Sequence, residues 1–164
     1  MNTNDQVFVE LQNIPWFQEL NTEHVRQLAE ISTLRAFKAG EVFFHEGAKQ
    51  DFCYIVLTGR VGLDIFVPHH GKVRVYTCEE WDSFGWSGVT PIIRTRTAGA
   101  VGVVEGTVVS TDTQKLQELL DRDHDIGYYF MRRMANVIAS RLMVTRLQLL
   151  DMFAEPLEKK NDDE

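Results

Sequence analysis

The sequence predicts a mainly β fold of the sandwich or barrel kind, with helices at both ends. Over residues 34–111, short runs of β-branched and aromatic residues alternate with turns that contain glycine, a pattern typical of antiparallel sandwiches and barrels. Helical periodicity lies on either side of this region, at about 22–33 and 126–153. Nothing in the pattern indicates a parallel sheet.

Composition limits the classes of protein to consider. The chain has 164 residues, of which 44% are hydrophobic and 25% charged, and its net charge is −7. These values suit one globular domain, expected over residues 1–154, and argue against a broad nucleic-acid surface. The charged segment 155–164 is expected to be a disordered tail. No apolar run has the length of a membrane span and the start lacks a signal pattern, so a cytoplasmic location is expected.

The helix before the β region is predicted from a single apolar face. Val25, Leu28, Ala29 and Ser32 lie on one side of a helix, and Asn21 or Thr22 can cap its first turn. We therefore expect a short helix packed against a larger body.

The strands are predicted from runs of β-forming residues. Gly40, Gly47 and Gly59 stand at strand boundaries, where a positive φ is easily adopted only by glycine. Cys53 and Cys78 lie within strand-like runs, without metal-like spacing, and are expected to be small buried thiols in a reducing compartment. The expected strands cover residues 42–44, 52–57, 61–67, 72–78, 99–104 and 107–111.

The stretch Phe84–Ala98 has the composition of an anion site. Gly85, Ser87 and Gly88 let the backbone approach a ligand closely, so that N–H groups can converge on it. Arg96 offers a planar fork that matches two phosphate oxygens, and Thr97 adds a hydroxyl. Arg94 is expected to face solvent.

The long helix at 126–153 carries a heptad stripe. Its apolar residues recur at intervals of four and three over about three heptads, which is the spacing of an a/d seam. A helix packed only on its own barrel also shows an apolar face, but Tyr129, Phe130, Met134 and Val137 can supply that face. We therefore expect a homodimer, with the seam at Met131, Ala135, Ile138, Leu142, Thr145, Leu149 and Met152.

Two motifs together resemble the cyclic nucleotide-binding domain family. The first joins Phe37-x-x-Gly40-Glu41 and Gly47 to the run Tyr54-Ile55-Val56-Leu57-x-Gly59-x-Val61. The second is Phe84-Gly85 followed by Arg96-Thr97-Ala98, with the spacing of the bacterial catabolite activator branch. The resemblance implies a cupin-like β-roll, also called a jelly roll, with flanking helices and a long C-terminal dimerisation helix.

The resemblance also implies a function and a site. It implies a regulatory, ligand-sensing domain that binds a small anion, such as cyclic AMP or cyclic GMP, and signals to an effector protein. Ten residues after the long helix cannot encode a helix-turn-helix module, so the chain is expected to be the sensor half alone and not to bind DNA. The implied ligand-binding residues are Phe84, Gly85, Trp86, Ser87, Arg96, Thr97 and Ala98.

Trp86 departs from the family pattern. The family has a glutamate there that accepts a hydrogen bond from the ribose 2′-hydroxyl, whereas indole only donates. The missing bond is expected to cost about 1–3 kcal/mol, or a roughly 5- to 150-fold weaker ribonucleotide. Trp86 could stack on a ligand ring, or it could fill the pocket of a degenerate, ligand-free interaction module. Both alternatives remain open from the sequence.

Other departures and absences narrow the function further. The positions that contact the purine in the activator branch fall on Arg141 and Leu142, which lack the small hydroxyl groups, so base recognition is unsupported; Thr145 lies one turn later. The pairs His45-Glu46 and His69-His70 lack a third ligand at a supporting spacing. We expect no metal, no cofactor and no membrane contact. We also expect no enzymatic activity, because no catalytic set of residues is visible in the sequence.

Overall fold

The structure, a computed structural model, describes residues 3–49, 51–90, 92–93 and 95–154. Arg94 and the tail 155–164 lie outside the described residues, so the expectations about them stay predictions. The chain divides between Phe130 and Met131 into two compact units.

The first unit begins with two helices, α1 (Thr3–Asn13) and α2 (Thr22–Glu30), joined through a 3-10 turn at Pro15–Phe17. The position of α1 was not predicted from the sequence, although Val7 and Leu11 stand four residues apart and are both buried. Asn21 caps α2 as expected, because its side chain accepts the backbone N–H of His24 at 2.8 Å.

The predicted length of α2 was wrong at its C-terminal end. The helix ends at Glu30, and Ser32 begins the first strand. The Ser32 hydroxyl still donates to the Leu28 carbonyl at 2.7 Å, so the residue packs near the helix without belonging to it.

Six strands form one antiparallel sheet: β1 (Ser32–Phe37), β2 (Val42–Phe44), β3 (Phe52–Val67), β4 (Gly71–Cys78), β5 (Ser83–Phe84) and β6 (Gly99–Asp112). Their order is β1-β6-β3-β4, with β2 paired to β6 and β5 paired to β3. The predicted mainly β fold with flanking helices and a long C-terminal helix is confirmed.

The expected strand end at Gly59 is instead a distortion inside β3. Gly59 has a φ of +81°, and the register between β3 and β6 shifts around it. A Cβ at this position would lie 2.6 Å from the Val104 carbonyl oxygen. Glycine therefore lets one long strand bend and continue where the sequence suggested two shorter ones.

Alternate residues of β3 face two separate apolar clusters. Ile55 and Leu57 face the first cluster, and Tyr54 and Val56 face the second, as the period of two in a strand requires. The first, called the helix-side core, comprises Val7, Leu11, Ile14, Phe17, Val25, Leu28, Ala29, Ile55, Leu57, Val89, Val109, Leu116, Leu119 and Ile126. The second, called the roll core, comprises Phe37, Tyr54, Val56, Val61, Leu63, Cys78, Phe84, Ala100 and Val108.

Two helices follow the sheet, α3 (Thr113–Arg122) and α4 (His124–Ala154). Asp112 caps α3 by accepting the N–H of Lys115 at 2.9 Å, and Asp123 accepts two N–H groups at the start of α4. The long helix thus begins two residues before the predicted position. Both cysteines are free, with Cys78 fully buried and Cys53 half-buried.

The second unit contains the rest of α4. Of the four residues expected to face the barrel, Met134 and Val137 belong to this unit and are buried and half-buried, while Tyr129 and Phe130 belong to the first unit and are half-buried. Within the described residues, no helix is long and apolar enough to cross a membrane. All seven residues of the predicted dimer seam are exposed: Met131, Ala135, Ile138, Leu142, Thr145, Leu149 and Met152.

Candidate anion-binding site

Gly85 forms the backbone turn at which the site begins. It follows Phe84 at the end of β5, has a φ of +72°, and opens a 3-10 turn at Trp86–Val89. A Cβ at Gly85 would lie 2.9 Å from Arg96 Nη1, 3.1 Å from the Phe52 carbonyl oxygen and 3.3 Å from a ring carbon of Phe44. Only glycine meets both the backbone conformation and the close approach of the arginine.

Hydrogen bonds hold the turn after Gly85 in place. The Ser87 carbonyl accepts the N–H of Thr90 at 3.2 Å and the Thr90 hydroxyl at 2.7 Å. The Gly88 carbonyl accepts the side-chain amide of Gln117 in α3 at 2.6 Å. Ser87 and Gly88 are both buried, so this side of the site is a fixed wall rather than a free loop.

Arg96 is turned into the protein. Its side chain is only 3% exposed; Nη1 donates to the Gly85 carbonyl and Nη2 to the Phe52 carbonyl. The guanidinium carbon lies 4.2 Å from the centre of the Phe44 ring, within the range of a cation–π contact. The arginine is therefore held by two carbonyls and one aromatic face.

The backbone of Arg96 is held as firmly as its side chain. Its N–H donates to the Ala48 carbonyl at 3.0 Å, and its carbonyl accepts the Gly47 N–H at 2.8 Å. This pair of bonds ties the arginine to the turn that follows β2.

The electrostatic balance around Arg96 is incomplete. Burial lowers the pKa of the guanidinium, while the side chains of Tyr54, Cys53 and Asp51 act in the opposite direction. The group stays charged, because arginine is not deprotonated in proteins. Its Nε is buried and has no hydrogen-bond partner, and among the described residues no carboxylate forms an ion pair with it. An anion would supply both the acceptor and the countercharge.

The structure separates the other predicted ligand-binding residues. Phe84 is fully buried in the roll core, where its ring stacks on Tyr54 with centroids 4.8 Å apart. Trp86 is half-buried and packs against the helix-side core. Thr97 is exposed, and Ala98 packs at the edge of the roll core. Gly85 and Arg96 thus come together, whereas Phe84 and Trp86 pack in different cores.

Two residues of the site were missed in the sequence analysis. Phe44 supplies the ring beneath Arg96, and Phe52 supplies a carbonyl from 44 residues away. A backbone carbonyl carries no signal in the residue type, so Phe52 could not have been found. Phe44 stands three residues before Gly47 in the first family motif, which is a position that could have been considered.

A cavity of about 290 Å³ lies beside Phe44. Its apolar lining comes from Val42, Phe44, Ile65, Phe66, Ala100 and Val101, and its polar lining includes His45, Glu46, Asp64 and Lys72. One carboxylate oxygen of Glu46 is already used, because it accepts the Phe66 N–H at 2.9 Å.

Three side chains in the described part of the chain could approach a metal ion together. Ligand atoms of His24, Asp123 and Asp125 lie within 4.8 Å of one another. His24 Nε2 and Asp123 Oδ2 are 3.6 Å apart, while the other Asp123 oxygen caps α4. The pairs His45-Glu46 and His69-His70 are not part of this group, and the expectation that the chain holds no metal stays a prediction.

The comparison with protein families gives the identity of the domain. Residues 34–123 match the cyclic nucleotide-binding domain family. The chain belongs to this family. The match includes most of β1, all of β2 to β6, the turn after Gly85 and Arg96, and it confirms the resemblance drawn from the two motifs.

Solved structures share the fold of this cyclic nucleotide-binding domain. A cyclic nucleotide-binding-type protein of Geobacter metallireducens is 25% identical, with a TM-score of 0.70, over 87% of this chain and 99% of that one. The sensor domain of the transcriptional regulator DNR from Pseudomonas aeruginosa is 17% identical, with a TM-score of 0.69 and 100% of both chains covered.

A third structure contains a nucleotide. The regulatory domain of protein kinase A from Toxoplasma gondii, crystallised with cyclic AMP, is 15% identical, with a TM-score of 0.68, over 82% of this chain and 50% of that one. A comparison with curated protein sequences gives no match. The family is one of regulatory ligand-binding domains rather than enzymes.

Proposed function

We propose that this domain is a ligand sensor that binds a small anion, a cyclic nucleotide such as cyclic AMP or cyclic GMP, at Gly85–Ala98. The observation that carries the proposal is the buried Arg96 guanidinium, whose Nε has no acceptor. A buried polar group without a partner costs free energy. A phosphate oxygen at Nε would remove that cost and neutralise the charge.

The ligand class follows from the family and from the chemistry of the group. A cyclic phosphate carries one negative charge and two free oxygens, which suit a guanidinium edge. The related Toxoplasma domain, crystallised with cyclic AMP, supports the same class of ligand. The backbone of Gly85, Trp86 and Ser87 would line one side of the ligand.

Assembly is the second part of the proposal. The exposed seam of α4 would pair with the same seam of a second copy, giving a homodimer. Ligand occupancy would then be passed on to an effector protein, in the cytoplasm and without DNA binding. The sensor domain of DNR, which shares the fold over its whole length, supports a sensing role.

One observation favours a second candidate function, a ligand-free interaction module. Both Nη atoms of Arg96 already donate to carbonyls, and Phe44 covers the guanidinium. The sequence alone suggested an interaction module in which Trp86 fills the pocket. Since Trp86 packs against the helix-side core, Phe44 is the better candidate for a residue that closes the site.

Calorimetric titration with cyclic AMP and cyclic GMP distinguishes the two functions. Arg96→Ala should weaken binding by on the order of 100-fold or more, because charge-assisted hydrogen bonds are lost. Arg96→Lys should recover part of the affinity, since a point charge cannot reproduce the fork.

Arg35→Ala is the matched control for Arg96→Ala. Arg35 also lies over an aromatic ring, that of Phe43 at 4.6 Å, but it pairs with Glu41. Its loss should leave binding unchanged. Nucleotide binding that survives Arg96→Ala would refute Arg96 as the anion contact. The absence of binding to the wild-type protein would support the ligand-free interaction module.

A further inference from the structure

Phe44 is the one described ring that lies over the Arg96 guanidinium and also borders the cavity. It packs beside Tyr54 and Phe84 at centroid distances of 6.2 Å each. Its neighbour Phe43 packs in the same aromatic group but lies under Arg35 instead. The two phenylalanines are therefore similar in packing and different in what they cover.

An anion cannot reach the guanidinium in its present position, because Arg96 is only 3% exposed. Nη1 and Nη2 each give one N–H to a carbonyl but keep a second, and Nε has no partner, so the group retains donors for a phosphate. The ring of Phe44 covers one face of the guanidinium. Movement of this ring would give an anion access to those donors.

The cavity offers a place for the ring to go. Its volume of about 290 Å³ exceeds the roughly 150 Å³ of an engineered apolar cavity that holds a benzene molecule. The apolar part of its lining, apart from Phe44 itself, comes from Val42, Ile65, Phe66, Ala100 and Val101. A rotated Phe44 side chain would contact these apolar residues, although the cavity also has a polar side.

The backbone around Phe44 is suited to such a change. Phe44 ends the three-residue strand β2, whose pairing with β6 shifts register between Val42 and Phe44. Such bulges interrupt the ladder and re-aim side chains near functional sites. The following turn, through Gly47 and Ala48, is bonded to the backbone of Arg96, so the ring and the arginine share one local frame.

We propose that Phe44 sets the affinity of the Arg96 site by competing with the ligand: its ring covers the guanidinium in the free protein and rotates into the adjacent cavity when the anion binds. This inference rests on the proposed ligand-binding function. It assigns to Phe44 an affinity-determining role that neither motif of the sequence indicates.

Phe44→Leu and Phe43→Leu form the test pair, titrated with cyclic AMP and cyclic GMP by calorimetry. Removing the ring over Arg96 should tighten binding about 3- to 30-fold, the range set by a cation–π contact. Phe43→Leu removes an equal volume from the same aromatic group and should leave affinity unchanged. Denaturation of both variants checks that their stability losses match.

Val101→Phe tests the destination of the ring. The added volume would occupy the cavity that Val101 lines, and binding to the otherwise unchanged protein should weaken several-fold. In the double variant Phe44→Leu with Val101→Phe, that weakening should disappear, because no phenyl ring has to move. Such a coupling is what a double-mutant cycle measures.

The outcomes separate this inference from the proposed function. Equal affinities in Phe44→Leu and Phe43→Leu, or weaker binding in Phe44→Leu, would overturn the competing role while leaving Arg96 as the anion contact. Weaker binding would mean that Phe44 touches the ligand. If neither nucleotide binds any variant, Phe44→Leu included, the ligand-binding function fails and the inference fails with it.

Discussion

Two regions of the molecule depart from the usual distribution of polarity, and they do so in opposite directions. Around Gly85–Ala98 the protein buries a cation, because Arg96 is only 3% exposed, although arginine is rarely buried to that extent. Along α4 beyond Met131 it exposes large apolar side chains, with Ile138 41% and Leu142 50% exposed.

The difference shows two kinds of incompleteness in a single chain. The buried guanidinium lacks an acceptor for one N–H, which a second molecule of opposite charge could provide. The exposed stripe lacks apolar cover, which a second helix could provide. The first region calls for a small anion and the second for a protein surface, so the two interactions can be tested independently.

The largest effect is expected at the apolar region. Ile138→Glu would place two like charges at the centre of the proposed dimer seam, without partners. Dimer dissociation should increase by at least about a thousandfold, which multi-angle light scattering would report as a monomer at micromolar concentration.

Ser140→Glu is the matched control for the seam. Ser140 is exposed and lies outside the heptad positions of the seam, so the same charge there should leave the dimer intact. Wild-type protein that is monomeric at micromolar concentration would refute the seam, and the exposed stripe would then need another partner.

Much of the fold could be predicted because it depends on local pattern. The period of two and the glycines located the β region, and the i, i+3, i+4 spacing located α2 and α4. The boundaries that failed depended on distant contacts. Gly59 looked like a strand end, but β6 packs against it so closely that the strand bends and continues.

The site was predictable in its residues but not in its geometry. The motifs identified Gly85 and Arg96, and the structure brings the two together. The direction of the arginine could not be inferred, because it depends on a carbonyl of Phe52 and the ring of Phe44. Trp86 illustrates the same limit, since its packing against the helix-side core depends on a cluster whose members come from distant parts of the chain.

A smaller effect is expected at Trp86, which stands where the family has a glutamate. Trp86→Glu supplies the acceptor that the family uses for the ribose 2′-hydroxyl. Binding of cyclic AMP or cyclic GMP should tighten by roughly 5- to 150-fold, the range of one added hydrogen bond. Calorimetry at constant salt would measure it.

Trp86→Leu is the control for loss of the indole ring. It removes the ring but adds no acceptor, so its affinity should stay near that of the wild type. If both substitutions weaken binding equally, the indole itself contacts the ligand by stacking, and the acceptor is not the missing element.

The smallest effect is expected from a single methyl group added at Gly85. Gly85→Ala and Gly47→Ala both place alanine at a positive φ, +72° and +80°, which costs about 1–2 kcal/mol of stability. Gly47 has no atom within 4 Å of the added Cβ, whereas Gly85 has Arg96 Nη1 at 2.9 Å. Overpacking should add about 1 kcal/mol or more at Gly85 alone.

The comparison of these two glycines isolates the contact with the buried cation from backbone strain. Urea denaturation should show a lower free energy of unfolding for Gly85→Ala than for Gly47→Ala, and nucleotide affinity should change only in Gly85→Ala, because only that methyl displaces Arg96. Equal stability losses would mean that the arginine moves away at no cost. The two carbonyls and the ring would then not hold Arg96 in place. The region Gly85–Ala98 would no longer differ from the exposed face of α4 as a site that fixes its side chains.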